Sequence, residues 1–240
     1  MLEINVPDKI KQHINLFVDK LKSTLQEDLV SISIYGSAVS NEFVDNHSDV
    51  NFLIVLKNTD LQNLKRISKL TEKFPLFQPL FLTQAYITSS VDIFPIEFLD
   101  MQENYLLIYG KDVLKELRID IKNLRFQCEQ ELKIKLIGLR QFYLRNHIDK
   151  PALLQALLKT FTSVLHISKN ILRLKEKPLV YKKELVINGL SEVFIIDINL
   201  WRELLSAKNK KTRLRNSDIE SNFISFTNEL QKLVDYVDKL

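Results

Sequence analysis

The sequence predicts an α+β protein: a small mixed sheet with flanking helices in residues 1–120, followed by an all-α helical bundle in residues 121–240. Three observations predict it. Up to about residue 117, short apolar runs alternate with segments of helical period. From about Leu124 onward the apolar spacing is helical throughout. The charge also changes sign along the chain. Residues 1–120 hold 12 Lys and Arg against 17 Asp and Glu, and residues 121–240 hold 22 against 13. An acidic half joined to a basic half suggests two functional faces and an anionic partner, against the equally plain reading of a bundle surface that is lysine-rich for solubility alone.

The elements follow in order. Ile10, Ile14, Phe17, Val18, Leu21 and Leu25 recur at helical spacing, which predicts a helix over 8–26 started by Pro7-Asp8. Leu29–Ile34 reads as a buried strand, Ser37–Phe43 as a short helix and Val50–Leu56 as a second strand. Asn58-Thr59-Asp60 is a turn and N-cap cluster. It opens an amphipathic helix marked by Leu61, Leu64, Ile67, Leu70 and Phe74, ending before Pro75. Phe81–Thr88 reads as a third strand and Ile93–Leu99 as a fourth, with Pro95 pushing that fourth strand to an edge. Met101–Leu117 is ambiguous, with a break at Tyr109-Gly110-Lys111.

In the second half, Leu132, Leu136, Leu139 and Tyr143 form one helical stripe. Pro151 suits the first turn of a long helix with Leu154, Leu157, Leu158, Phe161, Leu165 and Leu172 on its core face. Leu179–Leu190 and Glu192–Leu205 read as two shorter helices, the first C-capped at Asn188-Gly189. Ser217-Asp218-Ile219-Glu220 matches a capping box before a last helix carrying Phe223, Phe226, Leu230, Leu233 and Val237.

Composition narrows the classes. Hydrophobic residues at 45% and charged residues at 27% describe an ordinary globular chain with ample core material. The single cysteine, Cys128, excludes a disulfide framework and a cysteine-based zinc site, and fits a cytoplasmic setting. No signal peptide is expected, and no apolar run approaches membrane-spanning length. The four glycines are scattered, so there is no Walker A loop or dinucleotide fingerprint, and no Gly-x-Ser-x-Gly elbow or His-Glu-x-x-His is present.

One stretch carries chemistry: Tyr35-Gly36-Ser37, eleven residues, then Asp49-Val50-Asn51-Phe52-Leu53-Ile54-Val55-Leu56. Gly36 lets the backbone approach a phosphate, and the amides at and after Ser37 can hold it. Strand side chains alternate, so Asp49 and Asn51 project to one side, where the Asp49 carboxylate can take the magnesium that accompanies a triphosphate. The competing reading of Asp49 is a turn residue after His47-Ser48.

This stretch resembles the nucleotidyltransferase superfamily built on the DNA polymerase β palm, and the chain as a whole looks like the bacterial two-domain type with a C-terminal helical bundle, which includes enzymes that modify aminoglycosides. The resemblance implies magnesium-dependent transfer of a nucleoside monophosphate from a nucleoside triphosphate to an acceptor hydroxyl, with Gly36 and Ser37 at the triphosphate. It implies metal ligation by Asp49, Asn51 and a third acid from a neighbouring strand, with Asp49 and that acid catalytic. Glu97, flanked by apolar residues, is the first choice and Asp92 the second; the competing reading of Glu97 is an edge-strand residue facing water. Position 51 departs from the family, which usually has an acid there. An amide oxygen brings no charge and cannot act as a base, so an alternative follows: a nucleotide-binding or regulatory module of the same fold without efficient catalysis.

Three weaker features complete the reading. His47 precedes Asp49 in a loop and can approach substrate, although such histidines are usually just exposed. Arg140 and His147 resemble the Arg-x4–6-His signature of HEPN ribonucleases, against the plainer reading of a basic helix C-terminus that complements the dipole. Lys208–Arg215 is the strongest basic patch but lacks aromatics for base stacking. The expected partners are a nucleoside triphosphate and an acceptor that the sequence leaves open (small molecule, protein or RNA). No membrane partner is expected, and a homodimer is left open.

Overall fold

The computed structural model describes residues 4–40, 43, 48–177 and 182–240. The chain forms two compact units, Met1–Ile119 and Asp120–Leu240.

The first unit is built on a four-stranded mixed sheet of β1 (Leu29–Tyr35), β2 (Val50–Leu56), β3 (Phe77–Thr83) and β4 (Tyr105–Gly110), in the order β3-β2-β1-β4. β1 runs antiparallel to β2 and β4, and β2 runs parallel to β3. Helix α1 (Asp8–Leu25) buries all six residues of its predicted apolar stripe. It lies on the face of β2 that presents Phe52, Ile54 and Leu56. Helix α2 (Leu61–Thr71) makes the crossover from β2 to β3 and starts at Asp60, whose side chain accepts from the Asn63 amide at 2.8 Å.

The opposite face of β2 presents Leu53 and Val55, packed against Ile87 of α3 (Gln84–Ser90) and Phe98 and Met101 of α4 (Pro95–Glu103). Both faces of β2 are therefore covered, which is why its sequence is a continuous apolar run instead of an alternation.

Two strand predictions are corrected here. The segment Phe81–Thr88 holds the end of β3 and most of α3, and the boundary falls at Thr83, whose hydroxyl caps the helix by accepting from the Tyr86 amide at 3.0 Å. The segment Ile93–Leu99 is not a strand: Pro95 stands in the first turn of α4, where its fixed φ and missing amide hydrogen suit a helix start. The fourth strand is instead Tyr105–Gly110, and Gly110 closes it with φ +80°. The predicted helix at Ser37–Phe43 is described only at its start, as a tight single turn over Gly36–Ala38.

The second unit consists, among the described residues, of α5 (Ile121–Asn146), α6 (Lys150–Leu174), α7 (Lys183–Val193), α8 (Ile198–Lys208) and α9 (Ile219–Val237). Its centre is a group of three edge-on rings, Phe161, Trp201 and Phe226, with centroids 5.7–5.8 Å apart. α7 runs on through Asn188-Gly189, so Gly189 is no C-cap; a side chain there would meet Leu172 of α6 at 3.0 Å. Its predicted first residues, from Leu179 to Tyr181, lie outside the described residues. The predicted capping box is not formed either. Ser217 donates to its neighbour Asp218, and Glu220 turns away to take the Tyr143 hydroxyl at 2.6 Å and the Lys150 ammonium.

That last cluster ties α5, α6 and α9 together and makes the bundle sensitive to acid. The Lys150 ammonium, then the Tyr143 hydroxyl, hold the Glu220 carboxyl below its ordinary range. On α5, the Lys133 ammonium does the same to Glu129. A depressed carboxylate stabilises the fold above its unfolded pKa and loses that contribution as pH falls through the folded value. Thermal melts should therefore drop as pH goes below about 4.3, and Glu220→Gln should flatten that acid limb. An identical acid limb in the variant would remove Glu220 from the account.

Candidate functional site

The site is built where β1 ends and β2 begins. β1 delivers Tyr35 and then Gly36, which turns the chain with φ +79°. Only a residue without Cβ takes that conformation at little cost. The Gly36 amide donates to the Asn104 carbonyl just before β4 at 2.9 Å, so the turn is pinned across the sheet. The Gly36 carbonyl accepts from the amides of Val39 and Ser40 at 3.1 Å. Ser37 lies half-buried at the surface of this turn.

Asp49 is exposed and stands immediately before β2; Asn51, two residues on, is half-buried in the strand. The Asn51 side chain reaches the glycine turn: a Cβ on Gly36 would lie 3.3 Å from Asn51 Nδ2. The two ends of the predicted motif are thus brought together in space, with the amide of Asn51 against the turn.

Sheet register identifies the neighbours of Asn51. It pairs with Tyr35 on β1 and with Gln78 on β3, and Tyr35 pairs in turn with Tyr105 on β4. Registered side chains share a face, so one row runs Gln78, Asn51, Tyr35, Tyr105 across the sheet. This is the face of Leu53 and Val55, at the rim beyond the apolar cluster that α3 and α4 cover.

The row contains no carboxylate. Burial raises the pKa of the Tyr35 hydroxyl. Tyr105 is pushed up to about 12, by burial first and then by its bond to Asp112. Both phenols stay protonated at neutral pH. Asp112 is itself occupied, accepting from the Tyr105 hydroxyl at 2.8 Å and from the Lys115 amide at 3.1 Å.

The resemblance calls for a third acid on a strand beside Asp49 and Asn51. The strand beside β2 on that side is β3, Phe77–Thr83, and it carries no acid; the residue in register with Asn51 is Gln78. Glu97 is exposed in the first turn of α4, and Asp92 is exposed in the turn before it. The strand geometry that favoured them does not exist, although α4 does cover the Asn51 face. Among the described residues, no group of three or more His, Cys, Asp and Glu side chains is placed to hold a metal ion. The sequence reading missed Gln78 because its relevance appears only with the β2–β3 register. His47 lies outside the described residues.

Among the described residues, the donors of this row together with Asp49 do not by themselves fit two magnesium ions. Hard divalent cations close together need negative charge around them. Asp49 supplies one carboxylate, and Asn51 and Gln78 supply neutral amides.

In the helical unit, Arg140 donates to Gln231 of α9 at 2.9 Å, and His147 at the end of α5 packs its ring 5.9 Å from that of Tyr143. Each is drawn to a different neighbour. The basic run follows α8: Lys210, Lys211 and Arg213 edge a groove of 440 Å³ whose apolar wall is Leu154, Leu158 and Leu214. No helix among the described residues is long and apolar enough to cross a membrane.

No protein-family model matches the chain, and no curated protein matches it. A solved structure does: the spectinomycin adenyltransferase AAD(9) from Enterococcus faecialis, with ATP and spectinomycin. The identity is 15% and the TM-score 0.59, over 92% of this chain and 99% of that one. The mixed sheet with its glycine turn and acid-headed second strand, followed by a helical unit, thus has the fold of a nucleotidyltransferase.

Proposed function

We propose that the protein is a nucleotide-binding module of nucleotidyltransferase fold that does not carry out efficient nucleotidyl transfer. A nucleoside triphosphate would lie with its phosphates at Gly36 and Ser37, beside Asp49. The observation that carries this reading is the register of Asn51 with Gln78. It supports two adjacent amides where transfer chemistry asks for carboxylates that clamp metal ions and accept the proton of the attacking hydroxyl. The cytoplasmic setting suggested by the lone Cys128 goes with this reading.

A second reading is favoured by the retained Asp49 and by the ATP and spectinomycin named for the similar structure. It is magnesium-dependent transfer to an acceptor hydroxyl, with Asp49, Asn51 and Glu97 around the metal. Incubation with labelled ATP, GTP, CTP and UTP plus magnesium separates the two. The expected result is saturable binding of at least one nucleotide with no pyrophosphate released. Pyrophosphate release that disappears in Asp49→Ala would establish the transferase instead.

A further inference from the structure

The disagreement between the donor set and the metal chemistry of the fold has a positive side, because amides offer what carboxylates cannot. We infer that the nucleotide phosphates are bound directly by the side-chain amides of Asn51 and Gln78, without a magnesium ion bridging phosphate to protein. This rests on the nucleotide-binding reading above and specifies how that site holds its ligand.

Three features of the geometry support this. First, Asn51 Nδ2 lies against the glycine turn, 3.3 Å from where a Gly36 Cβ would stand. An anion held at this turn meets an N–H donor on the next strand. A carboxylate at the same position would repel a phosphate oxygen unless a cation stood between them; an amide donates to that oxygen itself.

Second, Gln78 is in register with Asn51 on the parallel neighbour β3 and is exposed at the same rim. Adjacent strands lie about 4.8 Å apart. Two amides at that spacing can reach different oxygens of one phosphate chain, and each carries two N–H donors.

Third, the row itself, Gln78, Asn51, Tyr35 and Tyr105, carries no charge. Asp49 is exposed, and Asp112 is engaged with Tyr105. Tyr35 and Tyr105 stay neutral, since burial raises the first and burial with Asp112 raises the second. Asp49 by itself is a weak anchor for magnesium, which prefers several hard oxygen ligands in an octahedron and keeps its water when they are lacking. The amide pair therefore replaces the bridging ion.

The test uses the full chain and titration calorimetry with ATP, GTP, CTP and UTP, once with magnesium and once with EDTA, at constant ionic strength. The expected result is that the nucleotide that binds does so with dissociation constants within about threefold of each other in the two buffers. The double variant Asn51→Asp with Gln78→Glu should bind at least about tenfold more weakly in EDTA than the wild type, and magnesium should restore it. Wild-type affinity that falls about tenfold or more on removing magnesium would overturn the direct-amide inference while leaving the nucleotide-binding reading intact. No binding of any of the four nucleotides in either buffer would overturn that reading, and the inference with it. The decisive wild-type comparison does not depend on the double variant folding.

Discussion

Phe17→Ala is expected to cost about 3–5 kcal/mol of stability, a large share of what holds a domain of this size together. Phe17 is fully buried in α1 and sits at the centre of four rings. Its centroid lies 5.1 Å from Phe52 of β2, 5.1 Å from Phe74 and 5.3 Å from Phe77 of β3. Phe74 and Phe77 stack on each other with planes 6° apart, so they cannot close over the hole without losing that arrangement. Truncation removes the burial of a ring and leaves a cavity that the sheet is too stiff to fill. Phe52 is the residue after Asn51, so α1 braces the back of the strand whose front carries the amide. Guanidinium unfolding followed by circular dichroism gives the number through a lower midpoint at similar slope. A loss below about 1 kcal/mol would mean that the four rings are not packed around Phe17 as described.

Much of this architecture was legible in the sequence, for reasons that differ between elements. All six stripe residues of α1 are buried, because an amphipathic helix against one sheet face has a single period to write. β2 was legible because a central strand covered on both faces is a short continuous apolar run, and β1 because its β-branched residues Val30, Ile32 and Ile34 mark a buried strand although Ser31 and Ser33 interrupt it. β3 was not, because it is an edge strand with Pro79 as its third residue and mixed exposure along its length. Its last residues also run straight into α3, so one apolar stretch, Phe81–Thr88, contains two elements. Pro95 misled for a related reason: the same ring that weakens a strand starts a helix well. The capping box failed because Glu220 found stronger partners in Lys150 and Tyr143 than its own helix terminus.

The site divides along the same line. Gly36, Ser37, Asp49 and Asn51 were visible because they lie within one turn and the strand after it, where local spacing fixes what can meet. The residue beside Asn51 on the next strand was not visible, because a parallel neighbour arrives after a crossover helix and its register is set by packing across the whole sheet. Glu97 has the flanking apolar residues expected of a strand acid, but they belong to the buried face of a helix. The register places Gln78, an amide, beside Asn51 instead.

The second large effect is expected at Gly110, where any side chain should cost about 3–5 kcal/mol. Gly110 pairs with Ser31 as β4 ends, at φ +80°. A Cβ there would lie 2.0 Å from the Val30 carbonyl oxygen and 3.0 Å from Ser31 Cα, both backbone atoms of β1. Neither can swing aside as a side-chain tip would, so Gly110→Ala must part the β1–β4 pairing at this end. The damage should reach the glycine turn, because the Gly36 amide is held by the Asn104 carbonyl just before β4. Gly138 supplies the control. It lies inside α5 with nothing within 4 Å of an added Cβ. Gly138→Ala is therefore expected to stabilise by up to about 1 kcal/mol, since alanine is the better helix former. The same added methyl group should thus act with opposite sign at two glycines, read as opposite shifts of the denaturant midpoint. Equal shifts, or a neutral Gly110→Ala, would show that the β4 terminus is not pressed against β1 and that the glycine turn is held by something else.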